Sequence, residues 1–145
     1  MCNRSSRMTM NKAMSRLIAT ADVIATHKGK IVLIERQKYP FGLALPGGHV
    51  EHGERPRETA MRELLEETGL VLNDARFFTT RKGSKRDPRY ALCRTRVYTG
   101  RVRGNIRDEA ECTHVVLISP TQIRKLPKER FAFDHHRILM AYLTP

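Results

Sequence analysis

The sequence contains no long apolar segment and few cysteines. No run approaches the roughly 20 apolar residues that a membrane-spanning helix needs, and the N-terminus lacks the apolar core of a secretory signal. We therefore expect a chain that stays in the cytoplasm and has no membrane partner. The 3 cysteines, Cys2, Cys93 and Cys112, are odd in number and far apart, which argues against a disulfide framework and against a zinc knuckle.

Acidic residues are absent from the first 21 positions, where four basic residues occur: Arg4, Arg7, Lys12 and Arg16. We interpret residues 1–16 as a flexible basic tail, because chain termini are often poorly ordered. A misassigned start is an alternative, and an organelle transit peptide is a less favoured one. Residues 17–145 then form a single domain, since 145 residues suffice for one core but not for two.

The net charge of +12 at pH 7 favours anionic partners. Phosphate-bearing small molecules, nucleic acids and acidic lipids all meet this condition, and charge alone does not choose among them. Hydrophobic residues form 40% and charged residues 29% of the chain, which is the balance of a globular domain.

The first half of the chain predicts two strands, a constrained loop and a helix. Residues 17–25 and 30–36 are apolar and β-branched, as in two strands joined by a tight turn. Residues 39–48 contain two prolines and three glycines, which is typical of a loop with a constrained backbone. The helix begins near Pro56 and ends at Gly69. Its predicted apolar side consists of Ala60, Met61, Leu64, Leu65 and Thr68.

The second half predicts strands at residues 76–81, 90–98 and 112–118, and helices at 120–126 and 134–143. Such a mixture indicates an α/β fold in which helices cover a sheet. In the last helix, His135 has one-face spacing with apolar residues. We interpret His135 and its neighbour His136 as packing or surface residues rather than metal ligands.

Three glutamates, Glu63, Glu66 and Glu67, share one face of the predicted helix that starts near Pro56. Like charges at this spacing repel and would weaken the helix unless a positive charge offset them. Carboxylate oxygens are the ligands that Mg²⁺ and Mn²⁺ prefer, and Mg²⁺ often shares them with substrate phosphates. The face therefore predicts a divalent cation and a phosphorylated substrate, with a solvated acidic surface as the alternative.

The residues around this face resemble the Nudix box. Gly48-His-Val-Glu-His-Gly-Glu54 is followed by seven residues and then by Arg62-Glu-Leu-Leu-Glu-Glu-Thr-Gly-Leu70. This run meets every defined position of the family pattern without a gap, so it is far more specific than a lone glycine motif. The resemblance covers about residues 17–143 and implies an α/β/α sandwich with a mixed central sheet.

The resemblance also implies hydrolysis of the diphosphate bond in a nucleoside diphosphate derivative, with Mg²⁺ as cofactor or Mn²⁺ in its place. The residues that it assigns to the metal are Glu63, Glu66, Glu67 and the carbonyl of Gly48.

The catalytic residues that the resemblance implies include Arg62, which would hold a box glutamate in register, while Glu54 would support the site. The attacking water needs a base. Glu63, Glu66 and Glu109 are candidates for it, although Glu109 fits an exposed loop acid equally well.

Residues outside the box suggest ADP-ribose as the substrate. Lys85-Arg-Asp-Pro-Arg89 and Ala132-Phe-Asp-His135 resemble segments of a group of ADP-ribose pyrophosphatases, although Tyr90-Ala91 stands where that group often has Gly-His. Arginines would bind phosphates and an aromatic ring would stack on the base, whereas the alternative is a solvated basic loop. The predicted substrate-binding residues are Arg36, Tyr39, Phe41, Gly47, Arg86 and Arg89.

Two other functions fit the same box. A house-cleaning triphosphatase that removes oxidised nucleotides would share every box residue. A non-catalytic Nudix-like module that binds ADP-ribose or RNA would suit the +12 charge, but such modules commonly lose box glutamates that this chain retains. The partner that we expect is therefore a nucleotide diphosphate small molecule, with nucleic acid less favoured and with a homodimer compatible with the family.

Overall fold

The computed structural model describes residues 16–107 and 113–145. Within these residues, a seven-stranded sheet contains β1 (Leu17–His27), β2 (Lys30–Arg36), β3 (Gly42–Ala44), β4 (Gly47–His49), β5 (Val71–Gly83), β6 (Leu92–Arg103) and β7 (Thr113–Ile118). Its helices are α1 (Pro56–Thr68), α2 (Pro120–Lys125) and α3 (His135–Leu143), and a 3₁₀ turn lies at Lys128–Arg130.

Strand β1 lies at the centre of the sheet. Its main neighbours are β2, which is antiparallel, and β6, which is parallel, so the sheet is mixed as predicted. The path of the sheet runs β3-β2-β1-β6-β5, with β4 paired to β1 and β7 paired to β2. Lys28 and Gly29, which join β1 to β2, both have positive φ, at 52° and 78°, as two-residue hairpins favour.

Two apolar cores lie on opposite faces of the sheet, because side chains alternate along a strand. On one face, Ala21 and Val23 of β1 pack with Ala60 and Leu64 of α1. On the other face, Ile24 of β1 packs with residues of α2 and α3, namely Ile123, Ile138 and Leu139. This arrangement confirms the predicted α/β/α sandwich.

The ends of α1 agree with the sequence. Pro56 occupies its first turn, and Gly69 caps it in the left-handed conformation at φ 81°, donating its N–H to the carbonyl of Leu65. The predicted apolar side was too wide, however, since the side chains of Met61 and Leu65 are exposed. The helix packs on the sheet through a narrower stripe of small and aliphatic residues. Met61 and Leu65 lie outside this stripe.

The structure differs from the predicted boundaries at segment 39–48 and at strand β5. The segment 39–48 holds the short strands β3 and β4, because its backbone pairs with β2 and β1. Strand β5 begins at Val71 rather than at residue 76, since a bulge near Asp74, at φ 49°, lets pairing with β6 continue past polar residues. Among the described residues, no helix combines the length and apolar character needed to cross a membrane.

Candidate active site

The three glutamates of the acidic face lie along α1, and Arg62 lies among them. Its Nη1 atom is 3.0 Å from Oε1 of Glu63 and 3.2 Å from Oε2 of Glu66. A single guanidinium therefore offsets the repulsion between two carboxylates that stand close together on the helix.

Glu54 holds the other side of the same guanidinium. Nε and Nη2 of Arg62 donate to the two Glu54 oxygens at 2.7 and 3.0 Å, which is the bidentate geometry that planar arginine favours. Thr59 also donates to Glu54 through its hydroxyl. These hydrogen bonds lower the pKa of Glu54 to about 2, and those from Arg62 have the largest effect.

Glu67 points to residues 45–48, which precede the helix and are called the glycine segment below. Its Oε1 atom accepts a hydrogen bond of 2.9 Å from the backbone N–H of Gly47. Burial, together with the nearby charges of Glu63 and Asp22, raises the pKa of Glu67 well above its ordinary value. A nearby cation would stabilise the charged form of Glu67.

Gly48 lets Glu63 approach the backbone closely. A Cβ atom at Gly48 would lie only 2.4 Å from Oε1 of Glu63, so any side chain would displace this carboxylate. The face and the Gly48 carbonyl thus offer oxygen atoms alone, which suits a hard divalent cation.

The carboxylates of this face are now turned to Arg62 and to the Gly47 N–H. In the part of the chain that the structure describes, no three His, Cys, Asp or Glu side chains are arranged to hold a metal ion. The donor chemistry fits such an ion. Arg62 contacts one oxygen of Glu63 and one of Glu66, so a cation would bind through the other oxygens or displace Arg62 from these two.

A cavity of about 160 Å³ adjoins the glycine segment. Polar groups from both ends of the chain reach it, with Ile34, Leu45 and Phe133 as apolar lining. The polar and glycine lining is formed by Thr20, Asp22, Arg36, Gly47, Gly48, His49, Arg86, Asp87, Arg89, Cys93 and His135.

Two arginines flank Phe133 in this cavity. The guanidinium carbons of Arg36 and Arg89 lie 5.0 and 5.4 Å from the ring centroid, within cation–π range. Burial and the charge of Arg89 lower the pKa of Arg36. Arg89 is paired with Asp87 at 2.9 Å, whereas Arg36 donates to the carbonyl of Pro40 at 2.7 Å. Of these two arginines, Arg89 has a carboxylate partner and Arg36 a backbone acceptor, so together they keep a net positive charge at the cavity.

Arg86 contacts the start of α3. Its Nη2 atom lies 2.7 Å from Oδ1 of Asp134, and its side chain is only 8% exposed. Its Nη1 atom also contacts the sulfur of Cys93 at 3.2 Å. Arg86 thus has a carboxylate partner, which it shares with Arg81 at 3.4 Å, whereas Arg36 forms no ion pair among the described residues.

Comparisons with known proteins decide the family. The model of the NUDIX domain matches residues 16–142. The chain belongs to the Nudix family. The chain is a pyrophosphohydrolase.

One Nudix relative is an ADP-ribose pyrophosphatase of Methanocaldococcus jannaschii, 32% identical over 124 residues that cover 84% of this chain and 70% of the relative. An 8-oxo-dGTP diphosphatase of Haemophilus influenzae is 38% identical over 61 residues, 40% of this chain and 45% of that protein. Among solved structures, the NUDIX domain of Shewanella oneidensis NrtR, complexed with ADP ribose, aligns with a TM-score of 0.76 at 22% identity and 97% coverage of each chain. This last likeness shows the Nudix fold.

The structure separates the predicted substrate-binding residues into two groups. Arg36, Gly47, Arg86 and Arg89 line the cavity. Tyr39 and Phe41 do not; their side chains are 60% and 64% exposed, and their ring centroids lie 6.4 Å apart. Glu109, the loop candidate for the base, lies outside the described residues.

Sequence reasoning did not single out Asp22, Asp87 or Phe133, and it treated His135 only as a helix residue. Asp22 did carry a signal, because an acid inside the apolar segment 17–25 is rarely buried without a partner. It is 6% exposed and accepts a hydrogen bond from the Thr95 hydroxyl.

Proposed function

We propose that the protein hydrolyses ADP-ribose to AMP and ribose 5-phosphate with Mg²⁺, or Mn²⁺ in its place. The observation that carries this proposal is the position of the acidic face of α1. This face adjoins a cavity that is lined by Arg36 and Arg89, and Gly47 and Gly48 lie between the face and the cavity. A diphosphate bound across this junction would have its negative charge offset from both sides.

Glu63, Glu66, Glu67 and the carbonyl of Gly48 would hold the cation. When bound, such an ion lowers the pKa of water and withdraws charge from phosphoryl oxygens. Arg62 has a positioning role in this proposal, because it orients Glu63 and Glu66 and is itself held by Glu54.

A proton must leave the attacking water, and a carboxylate is the group that can take it. Glu63 and Glu66 stand on the same face as the proposed metal ligands. Glu109 remains a third candidate from the sequence.

Arg36 is the preferred phosphate-binding residue in the cavity, with Arg89 beside it. Among the described residues, Arg36 forms no ion pair, while its guanidinium is fixed by Pro40 and Phe133. A fixed arginine loses little conformational freedom when it binds an anion. Tyr39 and Phe41 remain candidates for stacking on the base if the substrate extends beyond the cavity.

The ADP-ribose pyrophosphatase of M. jannaschii supports this substrate. So does a contact within the chain: Arg86 and Asp134, which belong to the two segments that resemble the ADP-ribose group, bind each other. The two segments therefore act as one structural unit beside the cavity.

The test is a substrate screen with Mg²⁺ that compares ADP-ribose, NADH, diadenosine polyphosphates and nucleoside triphosphates. We expect ADP-ribose to give the highest kcat/KM, with AMP and ribose 5-phosphate as products. Removal of the metal with a chelator should abolish turnover, and added Mg²⁺ or Mn²⁺ should restore it.

Glu66→Gln and Glu67→Gln test the metal assignment. Each should reduce kcat by at least about 100-fold, since even loss of an outer partner of a metal ligand costs up to about that much, while circular dichroism shows a folded protein. Glu58→Gln is the matched control on the same helix, because Glu58 is exposed and pairs with exposed Arg55. A wild-type kcat in both test variants would contradict the assignment of Glu66 and Glu67 to a metal site.

The second candidate is a triphosphatase for oxidised nucleotides, which the H. influenzae relative favours. Product analysis separates the two activities, because a triphosphate would yield a monophosphate and pyrophosphate. A kcat/KM higher for 8-oxo-dGTP than for ADP-ribose would replace the first proposal with this one.

A further inference from the structure

His135 joins the last helix to the glycine segment through a hydrogen bond within the protein interior. The backbone N–H of Leu45 donates to Nδ1 of His135 at 2.9 Å, and the residue is only 2% exposed. Because Nδ1 accepts this bond it carries no proton, so the ring N–H must be at Nε2.

That Nε2 atom faces Asp22, with 3.5 Å between it and Oδ2. Asp22 is fixed in turn by the hydroxyl of Thr95. It also packs directly under the glycine segment, since a Cβ atom at Gly47 would lie 2.2 Å from Oδ1 of Asp22. His135 and Asp22 thus hold the segment 45–48 at two points, by a hydrogen bond at its start and by close contact at Gly47.

The segment 45–48 connects the two sides of the sandwich. His135 belongs to α3, which packs on one face of the sheet, and Glu67 belongs to α1 on the other face. Between them, Leu45 binds His135 and Gly47 donates to Glu67 at 2.9 Å. The orientation of Glu67 therefore depends on a segment whose start is fixed by a side chain from the opposite layer.

We propose that His135 is a positioning residue for the reaction: its hydrogen bond to Leu45, supported by Asp22, sets the place of Gly47 and so the orientation of Glu67. This inference rests on the proposed function, because it takes Glu67 to be a metal ligand. His135 touches neither metal nor substrate in this role. Loss of such an outer contact typically costs about 10- to 100-fold in metal affinity or activity.

The chain offers substitutions that separate the two nitrogens of the ring. In His135→Asn, the amide oxygen can take the place of Nδ1 and accept the Leu45 N–H. In His135→Gln, the longer amide reaches the place of Nε2 and leaves Leu45 without its acceptor. His135→Ala removes both groups, and His136→Ala removes an imidazole from the same helix that packs instead on Phe131.

Three measurements on the full-length protein apply to each variant: Mn²⁺ affinity by electron paramagnetic resonance without substrate, kcat and KM with Mg²⁺, and hydrogen exchange at the Leu45 amide. We expect His135→Ala to speed exchange, weaken Mn²⁺ binding and lower kcat about 10- to 100-fold, with a smaller change in KM. His135→Asn should restore most of each value. His135→Gln should resemble His135→Ala, and His136→Ala should resemble the wild type.

Rescue by glutamine equal to rescue by asparagine would overturn the inference, and so would wild-type Mn²⁺ affinity and kcat in His135→Ala. If His135→Ala does not fold, the comparison of asparagine with glutamine still decides. A wild-type protein that binds no Mn²⁺ and hydrolyses none of the substrates would refute the proposed function instead. In that case, exchange at Leu45 alone shows whether His135 holds the segment.

Discussion

Arg62 connects the acidic residues of the site through one planar group. Its closest approaches are 2.7 Å to Glu54, 3.0 Å to Glu63 and 3.2 Å to Glu66. Glu54 takes the bidentate position, so Arg62 is held even when the other two carboxylates turn elsewhere. We therefore expect Arg62 to remain in place when a cation binds to Glu63 and Glu66.

Glu54 should stabilise the fold in a pH-dependent way. Its pKa is lowered to about 2 in the folded protein from an ordinary value of 4.5. The stabilisation is therefore fully present above about pH 4.5 and is lost as the pH falls towards about 2. Glu54→Gln should lower the free energy of unfolding by about 1 to 3 kcal/mol at neutral pH, and the difference from wild type should shrink between about pH 5 and about pH 3.

Urea unfolding of both proteins over this pH range measures the effect. Glu58→Gln is the control, because its exposed pair with Arg55 should contribute at most about 1 kcal/mol. A Glu54→Gln difference that stays constant from neutral to acidic pH would show that the carboxylate charge does not cause the stabilisation.

The glycine segment lets α1 and β1 lie close together, because Gly47 and Gly48 have no side chains. Gly47 lies against β1, where the carbonyl of Ala21 would be 2.4 Å from an added Cβ atom. Gly48 leaves space for the Glu63 carboxylate. A substitution at either glycine must move backbone of the sheet or a site residue.

Gly47→Ala should lower both stability and activity. Overpacking of a closely packed site typically costs about 1 to 3 kcal/mol, and displacement of the N–H that binds Glu67 should reduce kcat more than KM. Gly83→Ala in β5 is a matched control, because an added Cβ atom there meets nothing within 4 Å. Equal thermal midpoints and kcat values for the two variants would contradict this account of the segment.

The Arg86–Asp134 pair fastens the segment after β5 to the start of α3. The side chain of Arg86 is only 8% exposed, so Asp134→Ala would leave its charge without a carboxylate partner, and it would also remove the partner of Arg81. We expect this change to cost about 3 kcal/mol or more in the free energy of unfolding. Glu35→Ala, which breaks the more exposed pair with Arg130 at 3.3 Å, should cost at most about 1 kcal/mol. Similar urea midpoints for the two variants would argue against a fastening role for Asp134.

The charge of the protein should affect how fast an anionic substrate reaches the cavity. A net charge of +12 creates a long-range attraction for phosphates, and salt shortens its range. Arg36 and Arg89 then provide the local positive charge at the site itself.

We expect kcat/KM for ADP-ribose to fall about tenfold as ionic strength rises from low to high values, with kcat nearly unchanged. Arg36→Gln should lower kcat/KM at every salt concentration, and Arg124→Gln, which changes an exposed arginine of α2, should alter it little. Steady-state kinetics over a salt series checks this. A kcat/KM that is independent of salt would mean that steering by charge does not contribute.

The sequence by itself determined the family, the ends of α1 and the shared face of Glu63, Glu66 and Glu67. These features depend on spacing along one helix and on residues with special backbone preferences, such as Pro56 and Gly69. Both are local properties of a chain.

Only the tertiary structure decided which charges are free and which are paired. Arg36, Arg86 and Arg89 look alike in the sequence, yet Arg86 pairs with Asp134 and Arg89 with Asp87, while Arg36 donates to a backbone carbonyl. In the same way, the contact between His135 and Leu45 joins residues 90 positions apart. Such contacts depend on how layers of the fold pack against each other, and packing brings together residues whose separation along the chain carries no signal.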